Sequence, residues 1–528
     1  MIESLVIFSI ALIIVISLIT MFSNKIKVAY PVLLVLAGLG ASFIPQVPNI
    51  HIDPHLIFIL FLPPLLYEAA LAASWKEIWR WRRIIFSFAF PVVFITACAV
   101  AFVANSIIPG FSLTLGFLLG GIVSPPDAVS AAAIMKFVSV PKRISTILEG
   151  ESLFNDASSL VIVRFAMIVM ATGQFVWYQA AGQFVWMVVG GVGIGVVCAI
   201  AMIFMHKRLP MTTNIDIVFT LIAPYIMYIL AEEFEASGVM AVVSGGLWMK
   251  YHDLEFMSAS ARVKGENVWS NFTFLLNGFV FILIGLDLPE IVSGLSADHI
   301  SFVTATIYGL VISALLMAVR ISVAFLAIPF TQLMSRIMPV ADNRIPPKGM
   351  PFILGWTGMR GVVSLASALS IPLMLNGETY PHRSLILYIT FIVILVTLIL
   401  QGLTLPSIIR NTRFPEDLGD HLDESEAHQQ ILDGISAAGL EYIQAHNCPK
   451  TDESMLFKQA VERFRSRETE DEIDDHMPRE EKEYFYHIFE AQRQWLDKYN
   501  KENPKADESI VREFIHRIDL WEINIKHQ

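Results

Sequence analysis

The chain has 528 residues, of which 55% are hydrophobic and only 16% charged, with a mean hydropathy of +0.59. Soluble globular domains are about a quarter charged, so this composition excludes an ordinary soluble protein and points to one embedded in a lipid bilayer. The formal charge of −11 gathers in the tail, with 28 acids and 15 bases from Asn411 onward against 20 and 22 before it, and that acidity excludes nucleic acid as a partner.

Thirteen apolar segments follow in chain order, near 3–22, 29–45, 54–73, 84–108, 112–135, 144–171, 181–205, 214–235, 236–250, 267–288, 301–330, 350–375 and 384–409. The first, MIESLVIFSIALIIVISLITMF, lacks the basic leader and small-residue cleavage site of a signal peptide. It is long enough to span, which takes about 20 residues. The ninth is short and joined to the eighth by little loop (AEEFEASGVMAVVSGG), which leaves twelve as the alternative count. Basic residues in the connections set the orientation. They follow odd-numbered segments: Lys25 and Lys27; Lys76, Arg80, Arg82 and Arg83; Lys136, Lys142 and Arg143; Lys207 and Arg208; Lys250, Arg262 and Lys264; Arg336, Arg344 and Lys348; Arg410 and Arg413. Connections after even-numbered segments bring only Arg383. The alternation supports thirteen spans, with the N-terminus outside and the tail in the cytoplasm. Cys98, Cys198 and Cys448 lie too far apart for a metal site or a disulfide framework.

The fifth segment carries GIVSPPDAVSAAAI, residues 121–134. Proline donates no backbone hydrogen bond, and the residue before it avoids helical geometry. The span is therefore expected to unwind over Ser124, Pro125 and Pro126. Unwound backbone at this depth survives only against protein or a wet cavity, and its carbonyls are hard oxygen ligands suited to an alkali cation. A second interrupted segment, GWTGMRGVVSLASALSIP, covers 355–372. Paired broken helices in matching positions predict inverted repeats and point to a transporter's binding site. The match is one of layout, not of residues.

Charged side chains in the hydrocarbon region are costly and face a cavity or a partner. Asp127 opens the half-helix after the prolines, so its carboxylate reads first as an N-terminal cap and second as an ion ligand. Asp156 lies mid-span in GESLFNDASSLVIVRFAMIVM and shares a helix face with Ser152 and Ser159, beside Asn155. That stripe of oxygens around one carboxylate suits a group that takes up and releases a proton or a cation, because burial brings a carboxylic acid towards neutral pH. Glu151 is expected to pair with Arg360, the best-placed base, as a structural ion pair. Arg164 and Arg320 show no identifiable partner in the sequence, and structural pairing is the default for both. Glu68, after Pro63 and Pro64, reads equally as an entrance or pH-sensitive group and as an acid reaching water at a span end. Glu149 lies at the membrane edge.

A channel would show a dedicated filter of repeated carbonyl loops, an organic-ion carrier several polar or aromatic groups at mid-depth, and an enzyme a nucleophile–base or metal constellation. None is visible, and without a Gly-rich phosphate loop the energy source is an ion gradient; no cofactor is implied.

Beyond Arg413, helix-favouring runs near 425–446, 452–466, 480–500 and 508–523 are separated by NCPK, ETEDEIDDHMP and KENPK. Tyr484, Phe485, Ile488 and Phe489 recur at helical spacing. The acidic run 468–475 reads as a solvated loop. The expected organisation is a transmembrane domain over 1–410 and a helical acidic cytoplasmic tail over 411–528, with a regulatory role as the functional alternative.

SPPDAV, GESLFNDASSLV and GWTGMRGVVSLA, in that order and spacing, resemble the monovalent cation:proton antiporters of the NhaP and sodium–proton-exchanger branch, over roughly residues 1–410. The resemblance implies an all-α polytopic fold of about 13 transmembrane helices, with a mobile core bundle and a dimerisation bundle, in a homodimer in the cell membrane. It implies an ion site at Asn155 and Asp156, further ligands from Ser152 and from Ser124–Pro126, and a Glu151–Arg360 pair. It implies transport of sodium, or potassium or lithium, against a proton, and with it pH homeostasis. Many relatives carry threonine where this chain has Pro126, so one hydroxyl ligand is absent and the choice between sodium and potassium stays open. Asp156 is neutral with a proton and neutral with one alkali cation, which predicts one-for-one exchange that moves no net charge.

Overall fold

A helix that is apolar on every side leaves its backbone polar groups no partner but one another, and that condition dictates the architecture. The computed structural model describes residues 2–44, 54–135, 138, 140–174, 176–297, 300–334, 347, 349–375, 377–412, 424–445, 479–503 and 506–527. Its helices are α1 (Ile2–Ile26), α2 (Tyr30–Ala41), α3 (Pro54–Ala72), α4 (Trp75–Ile107), α5 (Leu113–Val123), α6 (Ala128–Met135), α7 (Lys142–Thr172), α8 (Trp177–Arg208), α9 (Thr213–Glu233) and α10 (Gly238–Tyr251). They continue with α11 (Ala259–Leu286), α12 (Leu288–Ala297), α13 (Phe302–Met334), α14 (Gly349–Trp356), α15 (Val362–Leu369), α16 (Arg383–Asn411), α17 (Glu424–Ala445), α18 (Arg479–Glu502) and α19 (Glu508–His527). The one sheet among the described residues is a two-strand antiparallel pair, Met374–Leu375 with Glu378–Thr379.

Each apolar segment read from the sequence falls on one or two of these helices. Among the described residues, eight helices are long and apolar enough to cross a membrane, and α2, most of α3 and α5 are shorter apolar helices. Two helices begin earlier than expected. α4 starts at Trp75 rather than near residue 84, because WKEIWRWRRIIFS is an amphipathic helix rather than a loop. Its arginines lie along rings, Arg82 4.8 Å from the Trp79 centroid, as charged heads do at an apolar boundary. α11 starts at Ala259 rather than near 267. The helical run expected over 452–466, the acidic run 468–475 and Cys448 lie outside the described residues.

The chain forms two compact units. The first holds Met1–Met202, Leu221–Lys250 and Ser270–Phe414, and the second Ile203–Thr220, Tyr251–Trp269 and Pro415–Gln528. In the first, Ser112 caps α5 by accepting the Leu115 N–H at 3.2 Å. α5 then lies directly on α4 at Gly116 and Gly120. A Cβ there would fall 2.6 Å from the Ala101 carbonyl and 2.5 Å from the Ala97 carbonyl, so the four-residue glycine spacing permits this backbone contact. In the second unit, α17, α18 and α19 share a core that includes Ile431, Ile435, Phe485, Phe489, Phe514 and Ile518.

Candidate functional site

Two helices are broken where the prolines and glycines stand. α5 ends at Val123 and α6 begins at Ala128. α14 ends at Trp356 and α15 begins at Val362. The two breaks are tied together: the Asp127 N–H donates to the Met359 carbonyl at 2.7 Å. Asp127 caps α6, accepting from the Val129 N–H at 3.0 Å and the Ser130 hydroxyl at 2.7 Å. Gly361 is required here, because a Cβ on it would lie 2.2 Å from Asp127 Oδ2.

Arg360, fully buried, occupies the second break. Its Nε donates to the Val123 carbonyl at 2.9 Å, its Nη1 to the Gly358 carbonyl, and its Nη2 reaches the Ser124 carbonyl at 3.5 Å. Its own N–H donates to Thr397 Oγ1 at 3.2 Å. Thr397 opens a π-turn, Thr397–Gln401, inside α16, a local widening that recurs at functional sites. The guanidinium thus neutralises oxygens that the first break exposes.

The sequence reading paired Arg360 with Glu151, and the structure corrects it. Glu151 pairs with Arg320 of α13, Nη1 to Oε1 at 2.6 Å and Nη2 to Oε2 at 2.8 Å. Arg320 packs against Gly358, where a Cβ would fall 2.4 Å from its Cδ. Both arginines therefore meet at one glycine, and the fork-to-fork geometry goes to Arg320 while Arg360 is committed to carbonyls. Arg320, given only a default structural role by the sequence, is a member of the site. Arg164 is half-buried and forms no hydrogen bond or ion pair with any described residue.

Asp156 and Asn155 sit on the middle of α7, facing the first break. Asn155 Nδ2 donates to the Pro126 carbonyl at 2.7 Å. Its Oδ1 is buried and without a partner among the described residues. Ser159 is used for packing, donating to the Gly121 carbonyl at 2.7 Å. Asp156 is 6% exposed and forms no hydrogen bond or ion pair with any described residue, and Asp127 is its charged neighbour. Ser152 lies one turn before it, half-buried. Glu68 is half-buried on α3, and Tyr30, at the start of α2, stands within electrostatic reach of both Glu68 and Asp127. A tyrosine at a span end carries no signal in sequence, so its place here was not foreseen. Glu149, expected to be wet, is exposed.

Two interrupted helices laced together across a buried carboxylate that no arginine claims define an ion-coupled transporter of the membrane interior. The chain belongs to the sodium/hydrogen exchanger family, whose transmembrane family model matches residues 10–411. It is 30% identical to the Na(+)/H(+) antiporter ApNhaP of Aphanothece halophytica, over 80% of this chain and 75% of that one. It is 32% identical to the sodium, potassium, lithium and rubidium/H(+) antiporter of Bacillus pumilus, over 72% of this chain and 58% of that one. A solved structure of the sodium proton antiporter MjNhaP1 from Methanocaldococcus jannaschii shares the fold, with a TM-score of 0.59 at 18% identity over 78% of this chain and 98% of that one.

Proposed function

We propose that the protein exchanges a monovalent alkali cation for a proton across the cell membrane, one for one, with Asp156 as the shared carrier. The observation that supports this most directly is a charge balance. Glu151, Asp127 and Asp156 bring three negative charges to the crossing, and Arg320 and Arg360 bring two positive ones. The constellation is therefore one negative charge in excess when Asp156 is bare and neutral when it holds a proton or one alkali cation. A net charge at lipid depth faces a large desolvation barrier, so the two loaded forms move between inward- and outward-facing states and the bare form does not. Asn155 and Ser152 orient and complete the cation's shell, with second lone pairs of the Ser124–Pro126 carbonyls. Sodium is the first reading, from the names of the family and of ApNhaP. The Bacillus relative's name favours a second, in which potassium and lithium are carried too.

The proposal includes thirteen crossings with the N-terminus outside, a membrane domain over 1–410, a cytoplasmic tail over 411–528, and a homodimer with a mobile core bundle. The test is exchange in reconstituted vesicles: sodium-dependent alkalinisation that is independent of membrane voltage in the unaltered protein and lost in Asp156→Asn. Retained exchange in that variant rejects the carrier, and a steep voltage response rejects the charge balance.

A further inference from the structure

A glutamine side chain brings two N–H donors and an oxygen with two lone pairs. At lipid depth only protein or enclosed water can satisfy them. Most buried hydroxyls in these helices bond back to their own backbone: Thr96 donates to the Val92 carbonyl at 2.7 Å, Ser313 to that of Gly309 at 2.7 Å, and Thr357 to that of Ile353 at 2.9 Å. Gln401 of α16 departs from this at both ends of its amide. It is 0% exposed, its Oε1 and Nε2 have no hydrogen-bond partner among the described residues, and neither atom borders space that a water molecule could enter. No other described side chain has two such atoms.

Two bonds fix what Gln401 lies among. The Arg360 N–H donates to Thr397 Oγ1 at 3.2 Å, and Trp356 Nε1, on the last residue of α14, donates to Thr404 Oγ1 at 3.0 Å. Gln401 stands one turn after Thr397 and one turn before Thr404, so it shares the face of α16 that carries both bonds. The next residue, Gly402, is closed in by other elements: a Cβ on it would lie 3.2 Å from Val32 Cγ2 of α2 and 3.6 Å from Ile134 Cδ1 of α6. Gln401 also ends the π-turn Thr397–Gln401, where the hydrogen-bond ladder of α16 slips by one residue. The amide therefore stands where α16 meets α2 and the half-helices α6 and α14. Of these, α6 is the half-helix that Asp127 caps beside Asp156.

We propose that Gln401 is a positioning residue of the exchange cycle: its carboxamide is unpaired in the described conformation and gains hydrogen-bond partners in the opposite-facing one. This rests on the exchange reading above, which requires two conformations of closely matched energy, because a protein trapped in either one transports nothing. A buried amide without partners raises the energy of the conformation that holds it. Such a breach of a local rule is kept at functional sites and offset elsewhere in the fold. The seam between Gly402 and Val32 lies one residue away. When α2 parts from α16 there, water reaches the amide and the penalty disappears, so Gln401 favours departure from the described conformation. The side chain binds neither ion and acts only on the balance between the two states. Asp156 therefore remains the single shared carrier, and no path stands open to both faces.

The test uses the full chain in vesicles of one orientation and the variant Gln401→Met, which replaces the amide by an apolar side chain of similar length. The described conformation is then favoured. The ratio of the sodium half-saturations measured from the two faces is expected to shift about tenfold, the scale of one buried amide left unpaired. Maximal exchange should fall, and the melting temperature of the purified protein should rise by about 2 °C. A side chain that merely fills space would lower rate and melting temperature together and leave the ratio alone. Gln401→Asn keeps an amide at this turn and should hold the parent's ratio, which separates the amide from packing. A lowered melting temperature in Gln401→Met, failure to fold included, overturns the proposal, because the amide would then be paired in the described conformation. An unchanged ratio in Gln401→Met overturns it, and so does an equal shift in Gln401→Asn. Absence of sodium-dependent proton movement in the unaltered protein would be the failure of the exchange reading instead.

Discussion

Glu151 and Arg320, 169 positions apart, form a two-point ion pair in the core of the first unit, with both side chains nearly without solvent. Such a pair is held by its own geometry. Removing one partner leaves a charge that lipid-depth surroundings do not solvate. Glu151→Leu and Arg320→Met, each alone, are therefore expected to lower stability by about 3–5 kcal/mol, and the two together by distinctly less. Thermal unfolding of the purified protein in detergent, read as a double-mutant cycle, checks both. Single losses that simply add in the double variant would mean that the pair does not act as a unit.

Glu151 also marks the limit of what the sequence discloses. Asp156, Asn155 and the two breaks are legible because an acid, or a Pro-Pro step, inside an apolar run violates a local rule that lipid enforces. The partner of Glu151 is not legible. Arg320 and Arg360 are both isolated bases in apolar helices, and the choice between them depends on how α13 and the α14–α15 break approach α7. Thr397 is less legible still, since threonine in an apolar helix ordinarily needs no reason beyond its back-bond, which it also makes. The early start of α4 escaped for the opposite cause: four basic residues marked the segment as a connection, whereas they form the wet face of an amphipathic helix.

Gly361→Ala tests the lacing of the broken helices. The substitution adds one methyl group at the break, where Gly361 precedes the first turn of α15. The new methyl would lie 2.2 Å from Asp127 Oδ2 and 2.7 Å from its Cγ. The Asp127 carboxylate is held by its cap to α6, so the two breaks must separate. The expected outcome is loss of most exchange, with a stability cost of about 1–3 kcal/mol typical of overpacking. Vesicle exchange set beside a melting curve checks it, and full exchange at an unchanged melting temperature would show that the breaks do not move as one.

Asn155→Ala removes the donor that holds the Pro126 carbonyl. A lost hydrogen bond of this kind costs about 1 kcal/mol in stability, while the cation's half-saturation is expected to rise by about tenfold, because the unwound backbone is then free to leave its place. Sodium dependence of exchange in vesicles measures this. A fall in maximal rate with the half-saturation unaltered would place Asn155 in the transition between states rather than in binding.

In the second unit, Asp519 of α19 is buried between two arginines. It accepts from Arg262 Nε at 2.8 Å and Nη2 at 2.5 Å, and from Arg493 Nε at 3.0 Å. Arg493 also contacts Glu490 at 3.1 Å and pairs with Glu522. Asp519 thus joins α18 and α19 to the first turn of α11, and its carboxylate is the shared member. Asp519→Asn leaves two buried guanidiniums competing for one neutral oxygen, so the unit is expected to lose about 3–5 kcal/mol. Arg262→Met leaves the Asp519–Arg493–Glu522 chain intact and is expected to cost about 1–3 kcal/mol. Amide hydrogen exchange over Glu508–His527 in the full protein reads the difference: fast in Asp519→Asn, intermediate in Arg262→Met, slow in the parent. If the two variants exchange at the same rate, the guanidinium of Arg262 rather than the carboxylate holds the tail helices in place.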